Sequence, residues 1–142
     1  EGWKDFLGVD AKIGRRPREP MEIYFGNDAP VGQRGSEGCT ILAIDEPRLF
    51  SFTWNAPPKF AHARGRHTWV IVTLEDVSGG STRVRLRHLG FAQQAADHPD
   101  HTGEWKEVRA YFHRAWGMVV GELQSKAGRP QPTANRTITP PR

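Results

Sequence analysis

Apolar residues recur at three- and four-residue intervals at Trp105, Val108, Phe112, Ala115, Trp116, Val119 and Leu123, which places them on one side of a 3.6-residue helix. Lys106, Glu107, Arg109, His113, Arg114 and Glu122 take the opposite side. The spacing predicts a long amphipathic helix over residues 105–124. Thr102 or Asp100 would cap its start, Glu104 would complement the positive end of its dipole, and Gly128 followed by Pro130 would end it. A stripe this wide, holding two tryptophans, requires a large apolar cover. Upstream the period falls to two, so the cover is predicted to be a single curved antiparallel sheet.

Taken in order, residues 2–8 hold Trp3, Phe6 and Leu7 at helical spacing, too few to stand alone and best read as the end of an earlier element. Residues 9–14 predict a short strand, 15–20 a basic turn, and 21–25 a strand that alternates Met21, Ile23 and Phe25 against Glu22 and Tyr24. Residues 26–38, with four glycines and a proline, predict a loop. Its glycines lack the Gly-Lys-Ser/Thr ending and the following helix of a phosphate loop. Two strands follow over 39–45 and 49–55, with Phe50, Phe52 and Trp54 sharing the face turned to the helix. Residues 56–66 predict a long loop, a kind of segment that often borders a binding site.

The clearest hairpin joins 68–76 to 82–91 through Ser78-Gly79-Gly80-Ser81. Arg83, Arg85 and Arg87 alternate with Val84, Leu86 and His88; three arginines are not buried together unpaired, so they face water and His88 faces inward. The simplest register then puts Trp69, Ile71 and Thr73 on the inner side with Leu86 and His88. Residues 92–103 predict a loop, and residues 127–142, with four prolines and no periodicity, a disordered tail.

With 142 residues the chain suits one domain, over residues 1–126. A net charge of +4, scattered along the chain, does not make the basic face with interleaved aromatics that nucleic acid requires. No apolar run approaches the ~20 residues of a bilayer span, so the expectation is a soluble, cytoplasmic protein without a membrane partner. Cys39 lies in an alternating pattern and reads as a small buried apolar group. The chain starts at Glu1 with neither signal peptide nor initiator Met, which points to something upstream removed or left out.

Gly38-Cys-Thr-Ile-Leu-Ala, Pro47-Arg-Leu-Phe-Ser-Phe-Thr-Trp, Thr82-Arg-Val-Arg-Leu-Arg-His-Leu-Gly-Phe and Tyr111-Phe-His-Arg-Ala-Trp-Gly, with Leu123, together resemble the activator of heat-shock protein 90 ATPase homologue-like branch of the START-like (SRPBCC) superfamily. The resemblance covers residues 3–123 and implies an α+β helix-grip fold, as in Bet v 1-like proteins: a curved antiparallel sheet wrapped around a long C-terminal helix, with a cavity between. It also implies that an N-terminal strand and first helix are missing, which would leave the edge of the 82–91 strand open or covered by a second copy, giving a monomer or a homodimer.

Three functions follow from the resemblance and the residues. The first is binding of a small hydrophobic or aromatic ligand in a cavity lined by Phe50, Phe52, Trp54, Trp69, Phe112 and Trp116 with His88 as its polar group, without a cofactor. The same aromatics could instead simply fill the core. The second is an enzyme, since relatives include cyclases and hydrolases of polyketide-like substrates; His88 would be its acid or base, oriented by Glu75 or Asp76, although no nucleophile pairs with it. The third is a co-chaperone, as the family name implies, although most of the branch are bacterial single domains. Asp97, His98, Asp100 and His101 lack a metal-fixing spacing and read as a solvated loop that caps the helix, which His62 or His67 could join only if the long loop folds over. Gly117 and Gly121 read as places of close backbone approach.

Overall fold

The period-two stretches become strands and the long three-and-four pattern becomes a helix in a computed structural model that describes residues 8–127. The expectations for Trp3, Phe6 and Leu7 and for residues 128–142 lie outside the described residues. The elements are β1 (Asp10–Ile13), β2 (Met21–Tyr24), β3 (Ile41–Asp45), β4 (Leu49–Trp54), α1 (Ala61–Arg64), β5 (Thr68–Val77), β6 (Ser81–Leu89), α2 (Phe91–Asp97) and α3 (Thr102–Ala127), with a 3-10 turn at Pro99–His101 before α3.

Four antiparallel strands form a sheet in the order β3-β4-β5-β6, and β1 pairs with β2 in a separate antiparallel ribbon. The two are stitched at the β3 edge, where Met21 N–H donates to Cys39 O at 2.8 Å and Ile41 N–H to Glu19 O at 2.9 Å. Buried Ser36 closes the corner, accepting from Ile23 N–H at 2.7 Å and donating to Met21 O at 3.0 Å, which satisfies backbone groups shielded from water. Met21, Ile23, Ile41, Phe52, Trp54 and Val70 form the sheet side of the core, against Trp105, Val108 and Phe112 of α3. This is the α+β arrangement of a sheet against one long C-terminal helix.

The hairpin register differs from the predicted one. Val77 pairs with Ser81 across a three-residue loop in which Gly79 and Gly80 take φ of 85° and 72°. Val70 therefore pairs with His88 and Val72 with Leu86, while Trp69, Ile71 and Thr73 sit opposite Leu89, Arg87 and Arg85. Because side chains alternate with period two, one residue of slip carries Trp69 to the outer face, away from His88. The arginines face outward and Val84, Leu86 and His88 inward, as their alternation requires.

Residues 92–103 are not a loop: Phe91 leaves the strand to open α2, whose N-cap is Gly90 at φ 103°. The long 56–66 loop contains α1, four residues long. At the start of α3 the Thr102 hydroxyl donates to Pro99 O rather than capping a helix N–H, and Glu104 Oε1 reaches across to accept Ala63 N–H at 2.7 Å. Among the described residues the apolar stripe of α3 is fully buried at Trp105, Val108 and Phe112, half-buried at Trp116 and Val119, and 36% exposed at Leu123, while Met118 beside it stays 70% exposed. Phe25, expected inside, lies past the end of β2 and is 52% exposed.

Candidate functional site

His88 is brought inward by β6 and meets Trp116 of α3 and Thr68 of β5. Trp116 Nε1–H donates to His88 Nδ1 at 2.9 Å, and His88 Nε2 lies 2.6 Å from Thr68 Oγ1. An indole nitrogen can only donate, so Nδ1 is the acceptor and the proton of the neutral imidazole sits on Nε2, pointing to Thr68. Thr68 Oγ1 passes the chain on to Trp54 O at 3.3 Å. Burial pushes the imidazole pKa down to about 3. Both nitrogens are occupied by this relay, which ties sheet to helix and leaves no lone pair for a substrate proton. Glu75 and Asp76, expected to orient His88, lie at the far end of β5 opposite Arg83 and Thr82, with Glu75 in an ion pair with Arg83 at 3.3 Å.

The seven aromatic and histidine candidates do not converge on one cavity. The space between sheet and helix is small, about 60 Å³, and lined by Phe52, Trp54, Val72, Leu86 and Trp116 among other apolar side chains. Phe50 borders a shallow recess with Ile13 and Leu74, and Trp69 faces outward. A larger, half-open cavity lies at the end of the core, where the 26–38 loop and the chain after β4 meet the middle of α3. There Trp54, Phe112 and Trp116 line a cavity of about 390 Å³ together with Phe25, Tyr111 and Met118. Trp54 and Trp116 rings lie 5.6 Å apart and Phe112 and Trp116 stack at 6.2 Å.

A larger cleft of about 650 Å³ runs along β6 and α3 past His88 and Phe91, and its rim is Lys106, Arg109, His113 and Arg114 from the solvated face of the helix. The smaller cavity is the better candidate because aromatic side chains wall it on several sides, whereas hydrated cations rim the larger one.

The cavity mouth is held by the 56–66 segment, which the sequence predicts to border a binding site, and by Glu37 and Asn55, which no sequence motif marks. Arg64 of α1 donates to Gly32 O, Gly35 O and Ala56 O, at 2.9, 3.0 and 2.6 Å from Nε, Nη2 and Nη1, and its Nη2 lies 3.4 Å from Glu37 Oε2. Glu37 in turn accepts N–H groups of Gly32, Arg34 and Gly35. Burial alone would raise its pKa, but these three donors and the Arg64 guanidinium outweigh it and hold the carboxyl below the usual range. Asn55 Nδ2 donates to Glu37 O at 3.3 Å and completes the brace. The glycine-rich loop is thus a clamp around one carboxylate.

The 56–66 segment does fold over the 97–101 stretch. His62 stacks on His101 with ring centroids 3.5 Å apart and lies 4.9 Å from His98, whose Nε2 accepts from Arg66 Nε at 3.1 Å. Burial, Arg66 and the neighbouring histidines push the His62 pKa down. Flat stacking and an adjacent guanidinium make this a packed ring cluster, and among the described residues no group of His, Cys, Asp and Glu is arranged to hold a metal ion. Cys39 is buried, and its thiol is pushed up to about 12 by burial. An added Cβ at Gly117 or Gly121 would meet nothing within 4 Å among the described residues, which show no close approach there. No described helix is long and apolar enough to cross a membrane.

A family model described as Activator of Hsp90 ATPase homolog 1-like protein matches residues 2–125. No curated protein and no solved structure matches the chain.

Proposed function

We propose, from the premise that this chain belongs to the Activator of Hsp90 ATPase homolog 1-like family, that it binds a small hydrophobic or aromatic molecule in the cavity at the end of its core. The observation that carries this reading is the convergence of Trp54, Tyr111, Phe112 and Trp116 on a space of about 390 Å³. That volume is of the size that small-molecule pockets occupy, and its walls are aromatic with a few polar groups at the mouth. A planar apolar ligand would stack on these rings and release the water that now meets them. Catalysis by His88 draws no support from a neutral imidazole with both nitrogens already bonded.

Ala115 lines the same cavity from the helix. Ala115→Phe should fill the space and abolish binding of the neutral probe N-phenyl-1-naphthylamine, read by its fluorescence, while leaving the far-ultraviolet circular dichroism unchanged. Equal binding by the wild-type chain and this variant would place the probe elsewhere and defeat the reading.

A further inference from the structure

The charges at the cavity mouth do not balance. Among the described residues, Arg34 and Arg64 are the charged ones that border the cavity, and no acidic one does. Arg64 is spent: its donors are taken by three carbonyl groups and by Glu37, whose negative charge it neutralises. Arg34 is not. Its Nε donates to Ala29 O at 2.9 Å, and among the described residues its terminal nitrogens have no hydrogen-bond or ion-pair partner, although the residue is half-buried. A guanidinium stays charged at any physiological pH, and its terminal N–H groups form a planar fork that matches a carboxylate.

Resting on the cavity reading above, we infer that the ligand is an amphipathic anion: an aromatic or otherwise apolar body held by Trp54, Tyr111, Phe112 and Trp116, with a carboxylate at the mouth paired with Arg34. The body supplies affinity through burial of apolar surface, and the acid supplies orientation. A neutral analogue of the same shape forgoes the charge-assisted hydrogen bonds, each worth more than a neutral one. The loop keeps the cation in place at little cost, because Glu37, clamped by three backbone N–H groups and Arg64, fixes the backbone on both sides of Arg34.

The test compares 1-naphthylacetate with its methyl ester by calorimetric titration at moderate salt, with mutual displacement to show that the two share one site. The wild-type chain should prefer the acid by about tenfold or more. Arg34→Gln should bring the affinity for the acid down to that for the ester and so remove the preference, while Arg34→Lys, which keeps the charge without the fork, should retain only part of it. If acid and ester bind equally to the wild type and are both expelled by Ala115→Phe, the cavity reading stands and the anion inference falls. If neither binds, both fall. A preference for the acid that survives in Arg34→Gln would assign the anion to the general positive charge of the protein and overturn the inference.

Discussion

His88 illustrates how a residue chosen for reactivity can be recruited for holding. In the unfolded chain its imidazole takes up a proton near 6.5, whereas in the folded chain burial pushes the pKa down to about 3. The unfolded state therefore binds the extra proton between those values, and stability falls as pH drops through 6.5 and continues to fall towards 3. The slope is about 1.4 kcal/mol per pH unit, so about 2 kcal/mol should be lost by about pH 5 from this group alone. Protonation would also set Nδ1–H against the Trp116 N–H that it now accepts. His88→Gln should lower stability at neutral pH by about 1–3 kcal/mol and flatten the acid slope relative to wild type, measured by urea unfolding at pH values on both sides of 6.5. Equal slopes in the two proteins would mean that His88 is not buried neutral.

At the scale of elements, the turn from β6 into α2 depends on Gly90. Its φ of 103° lies where only glycine is at ease, and a Cβ there would come 2.7 Å from Trp69 Cζ3. Trp69, turned outward by the hairpin register, lies over the glycine and remains 36% exposed. Gly90→Ala should cost about 1–3 kcal/mol in chemical denaturation. Trp69 can swing toward solvent, so the backbone dominates that cost and Trp69→Ala should not rescue it; full rescue would place the cause in the ring contact instead. Asp97, Pro99 and Asp100 punctuate residues 92–103 as a loop would, yet Phe91, Gln94 and Ala95 carry the three-and-four spacing of the short helix that forms there. Sequence pattern placed β2, β3, β4 and most of α3 within a few residues, since each presents one face to the core with a regular period.

The whole molecule is closed at the cavity mouth by contacts between segments distant in sequence. Arg64 joins α1 to carbonyls of the 26–38 loop and to Ala56 just after β4, so the cavity exists only when these three pieces meet. Arg64→Ala should lower stability by about 2–4 kcal/mol, because it leaves Glu37 and the carbonyls without their donor. Arg64→Lys should recover less than half, since one ammonium cannot serve carbonyls on separate segments. Urea unfolding of the three proteins decides this, and full recovery by lysine would show that charge alone matters. Of the expected binding residues, Trp54, Phe112 and Trp116 reach the cavity; Phe52 fills the core, Phe50 and Trp69 lie elsewhere, and His88 braces the sheet against the helix. Sequence alone determined the two periodicities, the outward arginines and the α+β layering, because each follows from side-chain direction within one element. Only the tertiary structure decided the hairpin register, the partners of His88 and the place of the cavity, because these depend on which residues of separate segments come to face one another, and a shift of one residue reverses the face.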